Sequence, residues 1–402
     1  MEISISSLSL KEKFKDIHHV EMLRVSTFDN NLFVLMNIWI TEEYKSIVQR
    51  IFVFDRHTLR IKDKYKVSKN LKWNCIYNLN ENIYLMGSNF SSLYSGAALI
   101  LFKENTIITS QVFDKGYSTE IHTIQKEKDG SFLISGSWYQ CVPFGGHDDY
   151  VPVQWQSKVT ITDSGFIDED IDQSNPKKIK SQIQDSDSEN YYLTEDYGIS
   201  KYNNDDVLIW NQGLGQYGAE DLQQIHKMVP FYKTQNGKTI QDGVWFSGSD
   251  QTNSGTGFSE PLFGRVTAGG TILSFKSILM NFPQLYKIHS LIPGTDNNCL
   301  LIGETLVAGQ GNGLFILLNH FSDGIWKQSI KYLNFTKTGF ELLIQDAPEF
   351  HNRYVQIKDI FPQSQRLEDL KKIIIFGNVS HLRDRDNGYV WTITISDSFT
   401  VS

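Results

Sequence analysis

This 402-residue chain is poor in cysteine, with three residues, Cys75, Cys141 and Cys299, far apart and without a CxxC spacing. Odd number and wide spacing exclude a disulfide framework and a cysteine-rich zinc site; buried thiols in a reducing compartment are expected instead. Long apolar runs are missing too. The longest, GAALILF at 96–102, has the length of a strand and falls far short of the roughly 18 residues a spanning helix needs. The first residues, MEISISSLSLKEKF, show no basic region followed by a continuous apolar core, so no signal peptide is expected. Positive charge is in deficit, with 38 Lys and Arg against 46 Asp and Glu and a net charge of -8. Such a balance gives nucleic acid or an anionic membrane no general attraction. The densest basic stretch, NPKKIK at 175–180, reads as a solvated loop. A soluble, cytoplasmic protein is expected, with neither nucleic acid nor membrane as partner.

Catalytic signatures are absent as well: there is no GxSxG, HExxH or P-loop. DSDSEN (185–190) and DRDNG (384–388) have calcium-loop composition, but the twelfth position counted from Asp384 is Ile395, where an EF-hand needs a bidentate carboxylate. Asp148 and Asp149 are adjacent in a strand-like segment and would point apart, a poor geometry for an acid–base pair. No catalytic residue and no cofactor are expected.

What the chain does have is a repeated phrase. A bulky apolar run ending in glycine recurs as IYLMGS (83–88), FLISGS (132–137), VWFSGS (244–249), LLIGET (300–305) and IIFGNV (374–379). The glycines, Gly87, Gly136, Gly248, Gly303 and Gly377, are separated by 49, 112, 55 and 74 residues. The long interval predicts a degenerate copy ending at Thr194, and counting back from Gly87 adds LFVLMN, ending at Asn37. Around each copy lie short runs rich in Ile, Val, Phe, Tyr and Trp, bounded by Gly, Asp and Asn, which is strand chemistry. Four strands in about 50 residues, repeated seven times, predict an all-β, seven-bladed β-propeller of four-stranded antiparallel blades. The count falls to six if the copy near Thr194 belongs to a neighbour.

The expected blades are approximately 17–67, 73–114, 119–171, 179–211, 221–277, 285–331, and 353–402 completed by 2–8, in a single domain. Ile3 and Ile5 alternate like an unpaired strand, so the N-terminus is expected to join the last blade and close the ring. Ser9-Leu10-Lys11-Glu12 has capping-box form and predicts a short helix before residue 17. Segments 172–178 and 332–352 exceed the repeat. DGSFLISGSW, GVWFSGSD and GISKYNNDDVLIW resemble the bacterial propeller repeats of the delta-60 and SBBP type over two or three blades. That resemblance implies a fold and no common activity.

Loops from second to third strand are expected on one face, and these are long. WYQCVPFGGHDDYVPVQW (138–155) carries Trp138, Tyr139, Phe144, His147, Asp148, Asp149, Tyr150 and Trp155, and SHLRDRDNG (380–388) carries Arg383 and Arg385. Aromatics and arginines are enriched at binding hot spots, and loops on a rigid scaffold are where function concentrates. These residues are the candidate protein-binding surface, for a partner the chain would mask or inhibit. Trp138, Phe144 and Trp155 equally fit the role of plugs between blades.

Four first strands begin alike, at Ile17-His18, Ile121-His122, Ile225-His226 and Ile288-His289, with Ile357-Lys358 in the last blade. A repeated residue in a repeated environment reads as structural. The alternative is an iron or zinc centre at His18, His122, His226 and His289, and with it an enzyme or small-ligand site at the channel mouth. No second-shell glutamate is evident for such a centre.

Overall fold

A computed structural model describes residues 3–14, 17–40, 47–66, 71–80, 83–90, 96–103, 106–115, 117–127, 129–144, 147–163, 165–170, 182–184, 190–195, 198–205, 207–213, 223–250, 260–274, 285–307, 311–322, 325–335, 342–345, 348–349, 351, 353–381 and 384–395. They are almost entirely strand, and no helix among them is long and apolar enough to cross a membrane.

The chain opens with β1 (Ile3–Ser9) and a single helical turn, α1 (Leu10–Lys13), where the capping-box sequence predicts one. Three antiparallel sheets follow, each paired in chain order. The first holds β2 (His19–Phe28), β3 (Asn31–Trp39), β4 (Ile47–Asp55) and β5 (Ile61–Lys66). The second holds β6 (Leu71–Asn80), β7 (Ile83–Phe90), β8 (Ala97–Lys103) and β9 (Thr106–Phe113). The third holds β10 (Tyr117–Lys126), β11 (Phe132–Phe144), β12 (His147–Thr162) and β13 (Gly165–Asp170). With α1 these make one compact unit, Leu10–Ile179 with Asp386–Gly388.

The other unit comprises Met1–Ser9, Lys180–Arg385 and Tyr389–Ser402. Two of its sheets repeat the pattern: β14 (Gln182–Gln184), β15 (Tyr191–Glu195), β16 (Gly198–Tyr202) and β17 (Leu208–Gly213), then β18 (Gln223–Gln235), β19 (Lys238–Asp250), β20 (Glu260–Thr267) and β21 (Ile272–Ser274). The degenerate copy near Thr194 is therefore a sheet of its own. The remaining strands are β22 (Leu285–Pro293), β23 (Cys299–Val307), β24 (Gly311–Ser322), β25 (Ile325–Phe335), β26 (Leu342–Gln345), β27 (Arg353–Pro362), β28 (Lys372–His381) and β29 (Asp384–Ile395). With β1 they form one nine-stranded sheet, in which a single parallel bridge, Gly311 to Arg353, joins two antiparallel groups.

β1 pairs with β29 over its whole length, from Ile3–Ile395 to Ser9–Tyr389, as its alternating pattern predicts. Part of the segment expected as an insertion at 332–352 is strand instead. β25 runs on to Phe335, and β26 adds a fifth strand whose Leu342 and Ile344 pack in one cluster with Ile3 and Ile5. Covering β1 this way removes apolar surface from water, the same reason the alternating run forms a strand at all.

Burial falls away from inner to outer strand in two of the sheets. β3 is buried at nearly every position, as a strand covered on both faces must be, whereas β5 buries Tyr65 alone. β16 and β17 show the same contrast. The turn between β18 and β19 is Asn236-Gly237, both at positive φ, the chemistry a two-residue hairpin demands.

The repeated glycine has a specific cause. In β10, β18, β22 and β27 an isoleucine (Ile121, Ile225, Ile288, Ile357) pairs with the glycine of the second strand, and the next residue is bulged out of register. The carbonyl of the residue before Ile121, Ile288 and Ile357 turns toward the second strand. A Cβ at Gly136 or Gly303 would collide with the carbonyl oxygen of Glu120 or Lys287, and one at Gly377 would lie 3.0 Å from that of Gln356. An aromatic ring of the third strand, Trp155 over Gly136 and Phe315 over Gly303, fills the space the missing side chain leaves. In the first sheet the corresponding position is Met36, facing Met22, and not Asn37.

Candidate functional site

The stretch expected as the longest binding loop is a β-ribbon. β10 pairs with β11 only as far as Tyr139, and β13 pairs with β12 only from Ser157 onward. β11 and β12 continue together past both neighbours through five more cross-strand pairs, Gln140–Val151 to Phe144–His147. Among the described residues no other strand pairs with this part of the ribbon, and an unpaired strand edge offers the backbone donors and acceptors used in strand-addition recognition.

At its root Trp138 is half-buried and packs with the cluster around Phe113 and Trp155, while Trp155 is fully buried opposite Gly136. Trp155 thus lies in the core and Trp138 packs at its edge. Tyr139 is 37% exposed and Gln140 and Cys141 are exposed beside it. An exposed Cys141 corrects the expectation of a buried thiol; Cys299 is buried as expected. Along the ribbon Asp148 pairs with Pro143, Asp149 with Val142, and Tyr150 with Cys141. The side chains of Phe144, His147, Asp148, Asp149 and Tyr150 lie outside the described set, as do Arg383 and the side chain of Arg385 in β29.

The four histidines do not share one position. His122, His226 and His289 each occupy the bulge after the isoleucine, as Lys358 does in β27. His18 precedes β2 and is exposed, and the bulge of that strand falls at Leu23. An Ile-His pair reads the same in sequence whether or not the strand bulges after it, so Ile17-His18 gives no sign of the difference. His18 and His122 belong to one compact unit and His226 and His289 to the other. The side chains of His122 and His226 lie outside the described set, and no cluster of metal-ligating side chains occurs among the described residues.

His289 has a carboxylate partner that the sequence did not disclose. Its Nε2 lies 2.9 Å from Oε1 of Glu304, which is 7% exposed and also accepts the Ile357 N–H at 3.3 Å. Beside it Asn312 donates from Nδ2 to the Val355 carbonyl at 2.8 Å and accepts the Val355 N–H at 2.5 Å. Side chains of β23 and β24 thus hold the backbone of β27, supplementing the single bridge at Gly311. Residues after the repeated glycine are Ser88, Ser137, Ser249, Glu304 and Asn378. Glu304 is the one carboxylate among them, so His122 and His226 have serine where His289 has its partner. The departure from serine was the signal that could have found this clasp.

One step further along the first strands, Lys227 follows the His226 bulge and Asp359 follows Lys358. Burial draws the Lys227 amine below its usual pKa, while the Asp359 charge opposes that shift.

No family model matches the chain, and no curated protein matches its sequence. The resemblance to delta-60 and SBBP repeats therefore has no sequence relative behind it. Among solved structures the chain is similar to core factor from S. cerevisiae, at 10% identity and a TM-score of 0.40, covering all of this chain and 62% of that one. It thus spans less than two thirds of that core-factor chain. It is similar to the WD40 domain of SCAP from fission yeast, at 8% identity and a TM-score of 0.31, covering 98% of each chain. A subtype N10 neuraminidase-like protein of A/little yellow-shouldered bat/Guatemala gives 7% identity and a TM-score of 0.35, again over 98% of each. The described residues are almost entirely strand, and likenesses at these identities and TM-scores carry neither fold nor activity across.

Proposed function

We propose that the chain is a seven-bladed β-propeller closed by β1 and serving as a non-enzymatic protein-interaction scaffold, and that the β11–β12 ribbon is its principal grip. The observation carrying this reading is the ribbon's extension past both neighbouring strands with Tyr139 exposed at its root. Phe144, His147, Asp148, Asp149 and Tyr150, on the same ribbon, are assigned to this grip on their residue types, and Arg383 and Arg385 are assigned to partner binding on theirs. An acidic chain that uses such a surface suits masking of a protein partner. The reading needs no cofactor, and the exposed Cys141 thiol suits a reducing cytoplasmic compartment.

The test is affinity capture from the native cell extract by wild type beside a variant with 140–151 replaced by a two-residue Asn-Gly turn, and beside Tyr139→Ala. A partner held at stoichiometric ratio by wild type and lost by the ribbon variant, with melting temperature unchanged, is the expected result. Equal capture by all three proteins would overturn the assignment of the ribbon.

A further inference from the structure

A groove of about 640 Å³ lies on the first sheet, between the segment after α1 and strands β4 and β5. Its base is apolar. Ile38 and Phe52 are buried, Val48 lines the wall, and the Phe14 ring sits 4.5 Å from that of Phe52. At the mouth Ile40 is 49% exposed, an apolar side chain left in water beside an apolar floor.

The charges lining the groove run against those of the chain. Lys13, Arg50, Lys62 and Lys64 face one carboxylate, Asp63, in a protein whose net charge is -8. Two of the cations are already engaged. Lys62 pairs with Asp55 at 3.0 Å, and Lys13 donates to the Leu59 carbonyl at 2.7 Å. The Arg50 guanidinium has no hydrogen-bond or ion-pair partner among the described residues, and burial against the groove draws its pKa down from the usual value. A cation held beside apolar side chains without a counter-ion is costly, and an anion delivered to it recovers that cost.

We infer that this groove binds an anionic amphiphile of small-molecule size, a carboxylate whose alkyl or aryl body lies on Ile38, Phe52 and Phe14 and whose head group pairs with Arg50. The volume falls within the range of about 300–1,000 Å³ typical of small-ligand sites, with an apolar lining and few polar groups to fix orientation. A protein partner would instead engage a flatter surface of about 800 Å² per side. The guanidinium can take the carboxylate in a two-pronged pair, which the flanking lysines cannot. This site is independent of the ribbon.

The probe is decanoate, titrated calorimetrically into the full chain below its micelle concentration, with 1-decanol as the uncharged comparison. Saturable binding at one equivalent is expected, weakened at least about tenfold in Arg50→Gln and only partly in Arg50→Lys. 1-Decanol should bind more weakly than decanoate to wild type and be indifferent to Arg50→Gln. Ile40→Asp, at an exposed position, should weaken decanoate without lowering the melting temperature. No saturation by decanoate, or equal affinities of wild type and Arg50→Gln, would overturn the proposal. So would saturable binding of a Glu- and Leu-rich peptide with none of decanoate, which would assign the groove to a protein.

Discussion

The carbonyl oxygen of Glu120 occupies the space in which any side chain at Gly136 would have to begin. The bulge at His122 turns that carbonyl inward, and the Trp155 indole closes the space from the other side. Glycine and bulge are therefore one device written in two strands. Gly136→Ala should cost at least about 2 kcal/mol, because both obstacles are anchored in the sheet and in the core. Gly213→Ala, where nothing lies within 4 Å of the added carbon, should stay within about 0.5 kcal/mol of wild type. Urea midpoints of the two variants check the pair.

Glu304 bears a second prediction. Removing its carboxylate leaves the Ile357 N–H and the His289 ring without their partner in a buried place. Glu304→Ala should therefore cost about 2–3 kcal/mol. Glu304→Gln, which keeps an acceptor oxygen, should cost less. Denaturant unfolding monitored by tryptophan fluorescence distinguishes them, and equal losses would show that charge rather than hydrogen bonding holds the clasp.

Acid should unfasten a surface pair. Asp129 lies 2.6 Å from the Lys158 ammonium and accepts from the Ser131 N–H and hydroxyl. Lys158 first, then Ser131, hold its carboxyl well below the ordinary value of 3.8. A carboxyl whose folded pKa is depressed stabilises fully above the unfolded value and loses that contribution as pH falls through the folded one. The stability advantage of wild type over Asp129→Asn should be complete at pH 6, begin to shrink below about pH 4 and vanish in stronger acid. Thermal melts of both proteins from pH 2 to 6 would measure the gap, and a constant gap would refute the assignment.

The two described thiols should react differently. Cys141 stands exposed on the ribbon, whereas Cys299 is fully buried and its thiol pKa is driven up by desolvation. Iodoacetamide at pH 8 should label Cys141 in the native protein and Cys299 only in denaturant. Peptide mass spectrometry reads the sites directly, and native labelling of Cys299 would show that the core opens there.

The strand content and its repetition were legible because they are local. Alternating apolar residues, bounding Gly, Asp and Asn, and a glycine at a recurring place each act over a few residues, so IYLMGS, FLISGS and LLIGET declared second strands without any knowledge of their partners. The pairing of β1 with β29 was legible for a related reason, since an alternating strand with no neighbour in sequence must find one elsewhere. At the candidate sites legibility was poorer. The ribbon was read as a loop because Gly145-Gly146 and Pro143 look like loop chemistry, while the cross-strand pairs that extend it are invisible in the sequence.

The sequence by itself determined most of the strands and their turns and the recurrence of the glycine, because propensity, alternation and turn chemistry are properties of neighbours along the chain. Only the tertiary structure decided that His18 stands apart from the three bulged histidines, that Glu304 clasps β27, and that Phe14 and Arg50 meet across one groove. Those outcomes depend on register and on contacts between residues tens of positions apart. A one-residue slip in a strand exchanges its two faces, so no count along the chain could have settled them.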